Sequence, residues 1–347
     1  MQLHELGGWP GVLSELVGRR DLSRELAAAG MREILSGEAT SAQIAGFIVG
    51  LRFKGEAVDE LAGLLDAMFE AATLVTLVDQ PGATPVIDVV GTGGDGSHSI
   101  NVSTLAALTV AGAGGRVCKH GNRAASSRSG AADVLEALGV ALEVEPSVVA
   151  RCVEVAGMGF CFAPRFHPAM RHAGPTRREL GIPTVFNYLG PVANPAQVKR
   201  LVLGVGDGAM ARPMVEVLAA RGAERVWVVH GADGMDELTT TGPSTVVTLT
   251  DGEVATHVVD PASLGLAPAT RADLAVRDVE HAVRAARAVL GGERGPHRDI
   301  VCLNAAAGLV VAGLADDLSA GLERAADALD SGRAETALQR LVATSTA

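Results

Sequence analysis

The chain has 347 residues, of which 48% are hydrophobic and 20% charged, and it carries a formal net charge of −11. That balance excludes a disordered chain and allows a sizeable core, while the length admits one large domain or two unequal ones. An acid excess of this size also lacks the basic patch or stripe of a nucleic-acid binder. Four cysteines, Cys118, Cys152, Cys161 and Cys302, form no C-x-x-C pair. They therefore suggest neither a zinc site nor a disulfide framework, and they suit a reducing compartment. The opening Met1-Gln2-Leu3-His4-Glu5 has no basic run leading into an apolar one, and no stretch reaches the roughly 18 apolar residues of a membrane span. A cytoplasmic protein is expected.

The first eighty residues read as helices only. Asp21 to Leu35 has apolar residues at helical spacing and ends at Gly37. Thr40 with Gln43 predicts a capping box for a helix through Ile44, Phe47, Ile48 and Leu51, closed by Lys54-Gly55. A third helix is expected from Val58 to about Leu74. Each is apolar on one side, so they should form a small bundle. Asp79-Gln80-Pro81-Gly82 then reads as a hinge.

From Val86 the texture changes. Val86 to Val90 is a buried strand, followed by a glycine-rich turn and a helix from Val102 to Ala113. Further strands are expected at Arg116 to Cys118, Gly159 to Phe162, Leu201 to Val205 and Val226 to Val229, with a helix at Ala131 to Leu138. Val246 to Leu249 and Val254 to Val259 should pair as a hairpin across Asp251-Gly252. Val279 to Leu290 and Ile300 to Leu314 read as alanine-rich helices. Such alternation implies a mostly parallel sheet with helices on both faces. The expected division is residues 1–80, a helical domain joined by a segment near 170–195, and residues 85–347, an α/β domain.

Three loops carry chemistry. Gly91-Thr92-Gly93-Gly94-Asp95-Gly96 lies between strand and helix, where glycines admit positive φ and let the backbone approach a phosphate. Asn101, Ser103 and Thr104 add polar groups at the same end. The spacing also fits the dinucleotide fingerprint, but that reading requires an acid closing the second strand. Lys119-His120 stands there instead, and Asp95 would repel a pyrophosphate unless a sugar hydroxyl or metal stood between, so the dinucleotide reading is set aside. A merely structural turn is the bland alternative. Lys119 to Gly130, with basic residues and three serines, reads as a second anion cradle, or as an ordinary solvated loop. His230 to Leu238 brings Asp236 and Glu237 together, either as a solvated acidic turn or as carboxylates that hold Mg²⁺ against phosphates. A fourth stretch, Phe162 to Met170 with Arg177-Arg178 following, could line a pocket for an aromatic acid, because arginine grips carboxylates bidentately.

Together these residues resemble a known family. Gly91-Thr92-Gly93-Gly94-Asp95, Asn101-Val102-Ser103-Thr104, Lys119-His120-Gly121-Asn122-Arg123, Asp236-Glu237 and Phe186-Asn187-Tyr188-Leu189-Gly190-Pro191 look like anthranilate phosphoribosyltransferase. The opening Glu33 to Thr40 is similar too, so the likeness covers nearly the whole chain in order. It implies a small N-terminal helical domain hinged to a larger α/β domain with a mostly parallel central sheet, of the class IV phosphoribosyltransferase and nucleoside phosphorylase type. It implies attack of anthranilate on phosphoribosyl diphosphate (PRPP), the second step of tryptophan synthesis from chorismate, and a homodimer joined through the helical domains.

The resemblance places PRPP on Gly91, Gly94, Asp95, Ser99, Asn101, Val102, Ser103 and Thr104. Lys119, His120, Gly121, Asn122, Arg123, Ala124, Ala125, Ser126 and Ser127 would complete that site, with Ala131 at its edge. Two Mg²⁺ ions would sit on Ser103 with Glu237 and on Asp236 with Glu237. Anthranilate would meet Gly91, Asn122 and Arg177, with His167 on its approach path. Arg128, Ala131 and Pro183 depart from the family's frequent lysine, serine and arginine, and Ala131 puts one PRPP hydrogen bond in doubt. No general base is required, since an aryl amine is neutral near pH 7; His120 is the weak candidate, a structural hydrogen bond being its other role. A pyrimidine-nucleoside phosphorylase of related fold is the first alternative, and the Asp236-Glu237 pair speaks against it. A catalytically silent nucleic-acid-binding paralogue is the second, and the net charge speaks against that.

Overall fold

The computed structural model describes residues 2–78, 82–124 and 128–347; the expected hinge therefore falls mostly outside the described residues. Helix α1 (Gly8–Val17) precedes α2 (Arg24–Ser36), which Ser23 caps by accepting the Leu26 N–H and Gly37 ends in a left-handed turn. The start expected at Asp21 moves to this cap. The Thr40–Gln43 box opens α3 (Ser41–Lys54) as its sequence dictates. Helix α4 (Val58–Glu70) is four residues shorter than its apolar pattern suggests. Beyond it the Thr73 N–H donates to Phe166 and the Val75 N–H to Pro195, and these tertiary bonds replace helical ones.

The larger part contains β1 (Val86–Gly91), α5 (Val102–Gly112), β2 (Arg116–Gly121), α6 (Ala131–Ala137), α7 (Pro146–Ala156) and β3 (Met158–Phe162). Short helices α8 (Ala163–Phe166) and α9 (Gly174–Leu180) lead to α10 (Val185–Val192). Then follow β4 (Arg200–Gly204), α11 (Ala211–Ala220), β5 (Arg225–Gly231), β6 (Ser244–Thr250) and β7 (Glu253–Val259). Helices α12 (Arg271–Leu274), α13 (Val279–Leu290), α14 (Pro296–Ala312), α15 (Leu318–Asp330) and α16 (Arg333–Ser345) complete the chain. Among the described residues no helix is long and apolar enough to cross a membrane.

The seven strands lie in the order β3-β2-β1-β4-β5-β6-β7. The first five run parallel, and β6 and β7 are antiparallel additions. Asp251 and Gly252 join the last two with both φ positive, at 51° and 82°, as a tight primed hairpin turn requires. Alternation along the strands sends Ile87, Val89, Val202, Trp227 and Val229 to one face, against α5 and α13–α16. Val90, Leu201, Leu203, Val226 and Val228 go to the other, into a core shared with α1–α4, α10 and α11. Each such side chain contributes about 1.5–3 kcal/mol when fully buried. Helix α9 packs on α3, and α10 on both α3 and α4, so the helical bundle is completed by residues from beyond the third strand.

The parallel topology puts the ends of β1, β2, β4 and β5, and the loops that follow them, at one edge of the sheet. Open α/β sheets bind ligands at such an edge, where the strand order reverses.

Candidate active site

A cleft of about 340 Å³ lies at that edge. Its walls are the 91–96 loop, the start of α5, the 119–124 stretch, Arg177, the α10 segment and the Asp236-Glu237 pair. A larger open depression of about 580 Å³ lies on the helical bundle. Four of its charges are already paired there, Arg24 with Asp66 and Arg32 with Glu70.

Glycine at two strand ends makes the acidic corner possible. A Cβ on Gly91 would stand 2.2 Å from the Asp236 Oδ2, and one on Gly204 only 1.5 Å from the Asp236 carbonyl oxygen. The 231–238 loop can therefore lie across the ends of β1 and β4. Gly93, Gly94 and Gly96 are left-handed, and the Gly93 N–H donates to Asp236 Oδ2 at 2.7 Å. Glu237 Oε1 accepts the Ser103 N–H, 3.2 Å away at the start of α5.

Asp236 and Glu237 are both buried. Burial pushes both carboxyls well above the usual carboxylate range, followed by repulsion from Asp95 for Asp236, and from Asp236 and Asp95 for Glu237. Lys119 is the compensating cation. It is 1% exposed, and its Nζ donates to Val89 C=O at 2.5 Å and Ser103 Oγ at 3.1 Å. Burial lowers its pKa, while Asp88, Glu237 and Asp236 act to raise it. Lys119 thus stands inside strand β2, which runs on to Gly121, rather than in the exposed loop that the sequence suggested. Among the described residues no group of three or more His, Cys, Asp or Glu side chains is arranged to hold a metal ion.

Of the residues singled out from sequence, Gly91, Gly94, Asp95, Ser99, Asn101, Val102, Ser103, Thr104, Asn122, Ala124 and Ala131 all line the cleft. Thr104 is fully buried, with a hydroxyl oxygen that has no protein partner among the described residues. Asn101 and Ser129 bond reciprocally across the two loops, at 3.0 and 3.2 Å. Ala125, Ser126 and Ser127 lie outside the described residues.

Two of the expected residues are engaged by other protein groups. Arg123 borders the cleft, but its guanidinium is engaged by Asp133 at 3.1 Å and Glu136 at 2.7 Å. These acids project from the helix that follows the loop and draw the arginine toward themselves. His167 does not line the cleft; it is 5% exposed and packs behind His120, ring centroids 5.2 Å apart. The short α8 turns its chain inward, so that His167 Nε2 meets the Ala193 C=O at 2.7 Å. His120 in turn bonds the Gly190 backbone, and burial, followed by the neighbouring His167, pushes its pKa down to about 3.

Arg177 is half-buried on α9, with its Cζ 5.0 Å from the centre of the Phe186 ring. Burial lowers its pKa, and no ion pair offsets that cost among the described residues. Phe186, Asn187, Gly190 and Pro191 form the adjoining wall. From sequence these four stand in a motif with no assigned place in the site, and Gly190-Pro191 lies inside α10. Asp88, buried beneath the cleft, reads from sequence only as a strand residue.

Comparison with known proteins identifies relatives over nearly the whole chain. Residues 83–335 match the model of the α/β domain of a glycosyl transferase family, and residues 10–72 match that family's helical bundle domain. The chain is 53% identical to an anthranilate phosphoribosyltransferase of Methylobacterium nodulans, over 94% of this chain and 95% of that protein. It is 51% identical to one from Salinispora arenicola, over 96% of both. Among solved structures, anthranilate phosphoribosyltransferase of Thermus thermophilus superposes with a TM-score of 0.90 at 43% identity, covering 97% of this chain and 99% of the other. The Saccharomyces cerevisiae enzyme in complex with PRPP and Mg superposes at 0.88 with 27% identity, covering 97% and 98%.

Proposed function

The chain belongs to the anthranilate phosphoribosyltransferase family and transfers the phosphoribosyl group of PRPP to anthranilate, the second step of tryptophan biosynthesis from chorismate; we propose that the cleft at the sheet edge is where it does so. The observation that carries this reading is Arg177, a half-buried cation in the cleft wall with no acid beside it among the described residues, stacked on Phe186. A flat aromatic carboxylate supplies both things this pair lacks, a charge for the guanidinium and a face for the ring.

PRPP lies across the 91–96 loop and the start of α5 on one side and the 119–131 stretch on the other. Backbone N–H groups, the hydroxyls of Ser99, Ser103 and Thr104, and Lys119 meet its anionic oxygens. Asn122 and Gly91 flank the acceptor. As the bond from ribose C1 to the diphosphate breaks, its electron pair leaves with the diphosphate and positive charge builds on the sugar. The amine nitrogen closes the new bond to C1 and then loses a proton. Each well-placed donor on the leaving group contributes about 3–4 kcal/mol, and holding the amine near C1 roughly 7–11 kcal/mol more. His120, with a pKa near 3 and a bond to the Gly190 backbone, is neutral and orients the 119–122 stretch. The proton of an N-aryl ammonium is acidic enough to leave to water.

The acidic corner fits Mg²⁺. Two buried, adjacent carboxylates with a serine hydroxyl nearby form an all-oxygen set too small to enclose an ion. Mg²⁺ prefers such a set, completed by phosphates and water. Ser103 with Glu237, and Asp236 with Glu237, would hold two ions. Bound there, Mg²⁺ supplies neutralisation of the charge that develops on the diphosphate.

We further place the domain boundary between residues 80 and 85, with 170–195 joined to the helical domain; the packing of α9 on α3 and of α10 on α3 and α4 supports this. A homodimer through the helical domain is supported by Val17, Val49 and Phe53, exposed at 84%, 38% and 68% on adjoining α1 and α3. Four buried free thiols suit the cytoplasm. The test of the reaction is loss of anthranilate fluorescence on mixing the purified protein with PRPP and Mg²⁺. Loss that requires both is expected; a folded, PRPP-binding protein that leaves anthranilate unchanged would overturn the assignment.

A further inference from the structure

Strands β1 and β2 pair only through Val86 with Arg116 and Ile87 with Val117. Both strands run on for four more residues, and each keeps its other neighbour throughout. Ile87–Gly91 pairs with Arg200–Gly204, and Val117–Gly121 with Met158–Phe162. The ladder between β1 and β2 is therefore interrupted after two rungs, just where the cleft begins, while the two strands stay side by side.

Backbone groups along an interrupted ladder inside the molecule need partners, and three side chains supply them. Asp88, 0% exposed, accepts the His120 N–H at 3.3 and 3.4 Å. Asn194, 4% exposed, donates to Cys118 C=O at 2.7 Å and to Asp88 Oδ2 at 2.7 Å, and its own oxygen accepts the Ala196 N–H at 2.9 Å. Lys119 satisfies Val89 C=O. Every polar atom of the Asn194 side chain is used, and the bonds join three chain segments far apart in sequence. Neither Asp88 nor Asn194 lines the cleft.

We propose that Asp88 and Asn194 act as a wedge that replaces the missing rungs of the ladder. The wedge sets the distance between the end of β1, which leads into the 91–96 loop, and the end of β2, which leads into the 121–130 loop. They are positioning residues: they touch no substrate, and they fix the width of the cleft that PRPP spans. A direct ladder would draw the two strand ends to the spacing of roughly 4.8 Å found between paired strands and narrow the cleft at its base. This inference rests on the reading that PRPP lies between the two loops.

The test compares Asp88→Asn and Asn194→Ser with Glu60→Gln, a change at a fully buried acid in the helical bundle that serves as a control for lost stability. Folded fraction is measured by circular dichroism and gel filtration, and KM and kcat by anthranilate fluorescence with PRPP and Mg²⁺. We expect the two wedge variants to fold and to raise the KM for PRPP at least tenfold, while Glu60→Gln melts at lower temperature with both KM values unchanged. Wedge variants that lose stability like the control but keep the wild-type KM for PRPP would overturn the proposal. So would failure of both to fold while the control folds, since the pair would then serve folding alone. Absence of turnover in the wild-type protein would instead refute the assigned reaction, so the two failures are distinguishable.

Discussion

Replacing Arg177 with glutamine removes the charge and keeps most of the length. In the structure the guanidinium has a ring beneath it and, among the described residues, no acid beside it, so ligand is what pairs its charge. A hydrogen bond between charged groups contributes about 1.5–3 kcal/mol, and each 1.36 kcal/mol is a factor of ten. The expected loss is therefore roughly 10- to 150-fold in kcat/KM for anthranilate. Stability should move the other way or not at all. Losing the stacking costs about 0.5–1 kcal/mol, but a half-buried charge no longer has to be desolvated, which also explains the lowered pKa. The assay is the initial rate of fluorescence loss at saturating PRPP over a range of anthranilate, with the KM for PRPP as internal control and a thermal melt beside it. Anthranilate kcat/KM within about threefold of wild type, or a KM for PRPP that rises in parallel, would refute the assignment of the carboxylate to Arg177.

Gly204→Ala puts a carbon 1.5 Å from the Asp236 carbonyl oxygen, so the acidic loop must move; calorimetry should find Mg²⁺–PRPP binding weakened at least tenfold, and unchanged binding would mean the loop relaxes freely. Lys54→Met leaves Glu60 buried, with only the Leu22 and Ala57 N–H groups as donors. A loss of about 3 kcal/mol in urea unfolding is expected, with KM values unaltered; a changed KM would tie the bundle to catalysis. His120 is held at about 3 when folded, below its unfolded value of about 6.5. The unfolded chain thus binds the extra proton, so this contribution to stability is complete above pH 6.5 and lost as pH falls toward 3. Between pH 6.5 and 5 that amounts to about 2 kcal/mol, and His120→Asn should flatten the denaturant midpoint over that range; parallel curves would refute it.

What the sequence disclosed was local chemistry. The Thr40–Gln43 cap, the Asp251-Gly252 turn and the glycines of the first loop are set by neighbours a few residues away, and all stand as expected. Helix α1 is not separately discernible, because Gly8-Trp9-Pro10-Gly11 opens it with poor helix formers. Helix α7 is hidden since Val148, Val149, Val153 and Val155 look like strand residues, although Val149, Cys152, Val153 and Ala156 bury one helical face. The true end of α4 depends on carbonyls at Phe166 and Pro195, which no local pattern reports. In the site, the polar residues were visible but their engagement was not. Arg123 binds Asp133 and Glu136, and Lys119 stands within β2 in the cleft wall, its Nζ on Val89 C=O and Ser103 Oγ. Cys118 and Cys161, distant in sequence, have sulfurs 3.6 Å apart on neighbouring strands as free thiols.

The strand order has a consequence for how the chain is made. Strand β1 lies in the interior of the sheet, but only β2 and β3, on one side of it, follow promptly; its other neighbour is β4. From Gly91 to its partner Gly204 is roughly 110 residues, about 6–20 s of ribosomal synthesis. For that interval the β1 edge that will hold the phosphate loop has no β4 beside it, and an unpaired apolar strand edge invites pairing with other chains. Asp236 and Glu237 emerge later still. A nascent chain therefore carries both halves of the anion cradle well before it carries the acids that complete it.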